Sequence, residues 1–188
     1  MIVKKLMEEF GEEVIRSFVQ KNADYYIARW RLMAQKGSRV SWNWAAAVFG
    51  GWFYQSWFFY RKMLLYGIAA FLLFWGGSLL LAVALGALLA VAGVGERAVD
   101  AVATLTAVAV SLLPFLIAGL YGNYIYGRFT YWKLVKLRER AGGNEEELLS
   151  LAAAKEGTSV ALIVVGILIE FFTVGLIGLL LSLILTSN

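Results

Sequence analysis

The sequence predicts an all-α integral membrane protein with three transmembrane helices, a Trp-rich interfacial or re-entrant segment, and amphipathic cytoplasmic helices at its N-terminal end. Composition is the first observation behind this: across 188 residues, 61% are hydrophobic and the mean hydropathy is +0.72, whereas a soluble domain is about half apolar. The second is the presence of three uninterrupted apolar runs. The third is the placement of Lys and Arg, which cluster on alternate sides of those runs.

Residues 1–40 are read as cytoplasmic helices. Val3, Met7, Phe10, Val14 and Phe18 recur at helical spacing, with Lys5, Glu8, Glu9, Glu12, Glu13 and Arg16 largely opposite. That polar face is mostly acidic, whereas surface-bound membrane helices favour Lys and Arg, so packing against the protein itself or a partner is expected. Charges interrupt this stretch where a secretory signal would need an apolar core, so the N-terminus is expected to be retained. A second helix starts at Asn22 or Asp24 and ends near Gly37. Its Tyr25, Tyr26 and Trp30 lie among Arg29, Arg31, Lys36 and Arg39 and suggest an anchor facing anionic lipid.

Residues 41–62, "SWNWAAAVFGGWFYQSWFFYRK", form the Trp-rich segment. A full crossing would put the basic residues up to Arg39 and the pair Arg61 and Lys62 on opposite sides, against the positive-inside tendency. The stretch is short for a span, carries Asn43 and Gln55, and is broken by Gly50 and Gly51, which tolerate a bend. Trp42, Trp44, Trp52 and Trp57 suit headgroup depth. A dip or an interfacial helix is therefore favoured over a fourth span.

Residues 63–188 form the membrane domain. Its runs begin at Met63, Ala101 and Ser159, and each exceeds the about 20 residues that cross a bilayer. Ten Lys or Arg residues precede Met63, only Arg97 separates the first two runs, and six lie between the second and third. The N-terminal region and the loop at 128–157 are thus expected in the cytoplasm. The second span should continue outward as a basic helical stalk to Ala141. Asn144 followed by Glu145, Glu146 and Glu147 has the form of a capped helix start, and Thr158 or Ser159 can cap the third span. The net charge of +4 belongs to this basic face and suits anionic lipid rather than nucleic acid.

Four blocks, "KNADYYIARW", "SWNWAAAVFGGWFYQSWFFYRKM", "GLYGNYIYGRF" and "AAAKEGTS", give the chain a resemblance to the bacterial membrane proteins grouped as domain of unknown function 2628 (DUF2628), over about residues 18 to 160. The resemblance implies a bacterial inner-membrane protein and brings no reaction with it. The family tends to carry Pro where this chain has Gly51, and Gly where it has Glu156.

Cysteine and histidine are both absent. Thiolate metal sites, Cys-His and Ser-His-Asp constellations and His-ligated haem are thereby excluded. No phosphate-cradling glycine loop and no suitably paired carboxylates appear. No metal or cofactor is expected, and the chain is read as no enzyme.

Glu170 is the sharpest candidate. A carboxylate near the middle of a span costs about 2.5–3.5 kcal/mol on insertion scales, so a polar partner or a neutral form is expected. At 1.5 Å per residue Glu170 lies roughly 18 Å from the cytoplasmic end of its helix, a depth at which Ser78, Ser111 and Tyr121 are the nearest polar residues. Pro114, at similar depth, could free a carbonyl. Gly119, Gly122, Asn123 and Gly127 read as a close-packing helix face, as do Gly76, Gly77 and Gly86, and Gly166, Gly175 and Gly178. Arg61 and Lys62 read as a stop at the lipid headgroups.

The leading expectation is a small membrane scaffold or accessory subunit that binds lipid and self-associates or joins a membrane complex. The alternative is a small oligomeric channel or transporter with Glu170 lining the path.

Overall fold

The computed structural model describes residues 1–53, 55–155 and 157–186; within these, the side chains of Trp52 and Ser111 lie outside the description, so those two candidates are not placed. Every regular element among the described residues is helical. Three helical rods are long and apolar enough to cross a membrane.

The N-terminal stripe does not form one rod. Helix α1 (Ile2–Glu9) and helix α2 (Glu12–Val19) are separated at Phe10, whose backbone is extended, and Gly11. The break resets the helical phase. Val3, Leu6 and Phe10 are buried on the first side of the break and Ile15, Phe18 and Val19 on the second, while Met7 and Val14 are partly covered against the same core. A left-handed turn at Gln20 and Asn22 leads into α3 (Ala23–Lys36), which Gly37 closes with positive φ and an N–H donated to the Met33 carbonyl.

The Trp-rich stretch lies along α7 (Glu96–Arg140) and turns back. The Ser41 N–H donates to the Leu120 carbonyl at 3.0 Å and the Asn43 N–H to the Gly119 carbonyl at 2.8 Å. A π-helical segment, Ala46–Trp52, then runs toward Pro114. Gly51 meets α7 so closely that a Cβ would stand 2.5 Å from the Phe115 Cα and 2.9 Å from the Pro114 carbonyl carbon. Glycine is required there by contact, not by dihedral angle. The chain reverses through Gln55 at φ 48° into α4 (Ser56–Tyr60), which returns toward Tyr126.

The first rod comprises α5 (Leu64–Phe71), a π-helical turn at Leu72–Gly76 and α6 (Gly77–Val91). The second, α7, has 45 residues, about 67 Å at 1.5 Å per residue, and carries Pro114 within it. It continues without a break beyond the apolar run as the basic stalk. Helix α8 (Glu145–Lys155) follows, with the Asn144 Oδ1 accepting from the Glu147 N–H at 3.2 Å. The third rod is α9 (Val160–Thr186), begun by Ser159, whose Oγ accepts from the Leu162 N–H at 3.3 Å.

The core sits entirely at the basic end. Trp30, Tyr126, Phe18, Leu6, Ile15 and Leu134, from α1, α2, α3 and α7, are fully buried in it together with Met63, and α8 adds Leu148 and Ala152. Each such side chain contributes about 1.5–3 kcal/mol on burial. Tyr26 and Trp30 lie against Tyr126 at ring-centroid distances of 4.8 and 5.6 Å. Beyond this core the rods separate.

Candidate functional site

Among the polar groups buried with aromatic and apolar side chains, which also include Gln55, Ser56 and Thr130, three stand out. The first is an asparagine pair. Asn43 donates through Nδ2 to the Asn123 Oδ1 at 2.8 Å, and its own Oδ1 accepts the Ala46 N–H at 3.0 Å. The Asn123 carbonyl accepts from Trp30 Nε1 at 2.7 Å, and its Nδ2 faces the Ser41 Oγ at 3.1 Å. This network joins α3, the Trp-rich stretch and α7. The glycines around it make room for it: a Cβ on Gly119 would strike the Trp42 ring, one on Gly122 would lie 2.5 Å from the Ala46 Cβ, and one on Gly127 would lie 2.8 Å from Trp30 Nε1.

The second group is the Arg61 guanidinium. Expected at headgroup depth, it is only 2% exposed. It donates from both terminal nitrogens to the Lys21 carbonyl at 3.1 Å and from Nη1 to the Val19 carbonyl at 3.4 Å. These carbonyls close the C-terminal end of α2, where a cation is favoured. The guanidinium carbon also lies 4.5 Å from the Tyr26 ring centre and 5.0 Å from that of Tyr126. Its Nε has no acceptor among the described residues. Lys62 beside it is half-buried, with φ 57°.

The third is Glu170 on α9. It is 2% exposed, and neither carboxylate oxygen has a hydrogen-bond partner among the described residues. One turn earlier, Gly166 presses on the Phe59 ring, whose other edge meets Gly67 of α5. Helices α4 and α5 are the elements on which α9 packs. The expected partners do not converge on it. Ser78 bonds back to the Phe74 carbonyl within its own rod and faces a groove between α6 and α7, and Tyr121 is exposed. Equal depth along three rods does not by itself place side chains together, because each also needs the right azimuth around its helix. Gln55 also dips inward, but its buried Oε1 is likewise unpartnered.

The tryptophans divide. Trp44 is 67% exposed, and Trp42 is partly covered, packing on Gly119 and Phe115. Trp57, read as an interfacial ring, is instead buried against Tyr126 and Phe58 in the core. Gly122 provides the space for it, its absent Cβ lying 3.8 Å from the Trp57 ring.

A groove of about 330 Å³ opens beside Arg61, between the start of α3, the returning α4 and α9. Lys21 lies on its rim, with Nζ 5.7 Å from the Tyr60 ring centre. Burial raises the Tyr60 pKa, but hydrogen bonds with Thr158 and Lys21 and the charges of Lys21 and Arg61 outweigh it, so the net shift is below the ordinary tyrosine value. Sequence reasoning missed this groove because Lys21, Tyr60 and Ile163 come from three distant segments. Among the described residues, no group of acidic, Cys or His side chains is placed to hold a metal ion.

No family model matches the chain, and no curated protein or solved structure is similar to it.

Proposed function

We propose that this protein is a small, non-enzymatic membrane scaffold or accessory subunit whose spans associate with copies of itself or with a membrane partner. One observation carries the reading: the outer glycines face nothing. Gly76, Gly77, Gly175 and Gly178 have no atom within 4 Å of where a Cβ would stand, whereas Gly119, Gly122, Gly127 and Gly166 are each filled by a neighbour and Gly86 looks into the groove between α6 and α7. Small-residue faces let helices approach closely in lipid. On α6 and α9 those faces are available to another helix.

In this reading the basic end lies in the cytoplasm of a bacterial inner membrane, anionic lipid surrounds it, and the Trp-rich stretch is re-entrant, dipping beside α7 as far as Pro114. Irregular backbone is tolerated at membrane depth where protein covers it, and here α7 does. Membership of the DUF2628 family belongs to the same proposal and adds no reaction to it.

The test uses the absence of native cysteine. Gly175→Cys in native membranes should give a disulfide-linked dimer or a crosslink to one fixed partner, and Gly11→Cys on the cytoplasmic connection should give neither. A chain that stays monomeric and purifies alone would overturn the reading.

A second reading, an oligomeric channel with Glu170 on its path, is favoured by the two unpartnered carboxylate oxygens. It predicts ion flux in liposomes that disappears in Glu170→Gln. The seat of Glu170 inside the chain, away from the open glycine faces, favours the scaffold.

A further inference from the structure

The groove beside Arg61 collects positive charge with no anion among the described residues lining it. Arginine stays protonated when buried, and among the described residues the Arg61 guanidinium meets neutral carbonyls and aromatic faces. The nearby cation Lys21 is exposed on the rim. No carboxylate lines the groove, and neither cation forms an ion pair among the described residues. Asp24 and Glu12 are engaged elsewhere: Asp24 pairs with Arg16 at 2.6 Å, and Glu12 with Arg31 at 2.9 Å. A buried cation left without a counterion is strongly unfavourable, and an anion seated at the rim would relieve it.

The rest of the lining specifies which anion. Below the cationic rim the wall is apolar, with Phe49, Trp57 and Ile163 lining it, and Phe49 is 51% exposed. The groove begins where α9 leaves the polar loop, marked by the Ser159 N–H donating to the Tyr60 carbonyl at 2.9 Å. A cationic rim over an apolar slot at the root of a span complements a phosphate with an acyl chain attached. A free inorganic anion would use only the rim. The lowered Tyr60 pKa is consistent with a positive potential at that point.

We propose that this groove binds one anionic phospholipid, with Lys21 and the Tyr60 hydroxyl contacting the phosphate, Arg61 supplying charge from behind, and the acyl chain lying against Phe49, Trp57 and Ile163. The inference rests on the membrane placement proposed above and is independent of whether the spans recruit a partner.

The full chain in neutral detergent is titrated with short-chain phosphatidylglycerol and with phosphatidylcholine of the same chain length, and bound lipid is counted by native mass spectrometry. One phosphatidylglycerol should be retained in preference to phosphatidylcholine. Lys21→Gln, which removes the exposed charge and keeps the backbone carbonyl that Arg61 uses, should weaken it about fivefold, the factor for one basic residue at an anionic lipid surface. Lys4→Gln, exposed on α1, is the control and should leave affinity unchanged. Phe49→Ala should weaken phosphatidylglycerol but have no effect on inorganic phosphate. Equal retention of the two lipids would overturn the proposal, as would a Lys21→Gln variant within twofold of the parent. Full displacement by inorganic phosphate at matched concentration would also overturn it, assigning the site to a soluble anion.

Discussion

The two ends of this molecule are built on different terms. At the basic end, α1, α2, α3, α8 and the stalk of α7 close around Trp30 and Tyr126, and the Trp-rich stretch is sealed to α7 by backbone hydrogen bonds and glycine contacts. At the far end, only 6%, 12% and 11% of the most apolar window of each rod is buried by the protein itself. Water can drive the first arrangement by excluding aromatic surface. It cannot drive the second, because lipid tails are as apolar as leucine and reward helix contact only through close packing and hydrogen bonds. One end is specified by its own chain, and the other takes its neighbours from the membrane.

Trp30→Ala should break the first end most severely. Trp30 is fully buried, and its Nε1 donates to the Asn123 carbonyl. Removing a buried tryptophan costs about 3–5 kcal/mol, so thermal unfolding followed by circular dichroism in detergent should shift strongly downward. Gly122→Leu should act next, by overpacking. The side chain would enter space held by Ala46 and Trp57, and such insertions cost roughly 1–3 kcal/mol. Limited proteolysis should then cleave first within residues 41–60. If both variants melt like the parent, the basic end is not the closed core described above.

How legible these ends were in the sequence follows the same division. The three rods could be read directly, because span length is fixed by bilayer thickness and recorded as an apolar run. The stalk and α8 could also be read, from helix-forming residues and the Asn144 start. In residues 1–19 the apolar stripe was legible, since Val3, Phe10 and Phe18 are buried and Met7 and Val14 pack against the same core, but the break at Gly11 that makes it two helices was not. Arg61 misled more: a basic pair before a span has the form of a headgroup anchor, yet Arg61 turns inward to carbonyls that reach it only through folding. The polar cluster around Glu170 was sought by depth along the helix. Azimuth decides it instead, and a single sequence does not record azimuth between rods.

The asparagine bridge sets a finer test of how the closed end is locked. Asn123→Ala strands the Asn43 amide in the interior, and an unsatisfied buried group costs about 1–3 kcal/mol. Asn43→Ala should do the same to Asn123. The double variant should be less destabilised than the sum, with a coupling of about 0.5–3 kcal/mol for residues in contact. Strict additivity in the melting data would mean that the two amides do not hold each other.

The smallest effect should fall at the far end, and its size separates the two descriptions of that end. Leu80 on α6 is 72% exposed, near the unfilled Gly76 and Gly77. In an isolated chain its neighbours are lipid tails, folded or unfolded within the membrane, so Leu80→Ala should change stability by less than about 0.5 kcal/mol. If a second helix seats itself on those glycines, Leu80 becomes part of a packed interface. The cost then rises and depends on protein concentration in the bilayer, since association is linked to stability by mass action. Measured at two protein-to-lipid ratios, a null effect at both would leave α6 to lipid. An effect that grows with the ratio would place a partner on it.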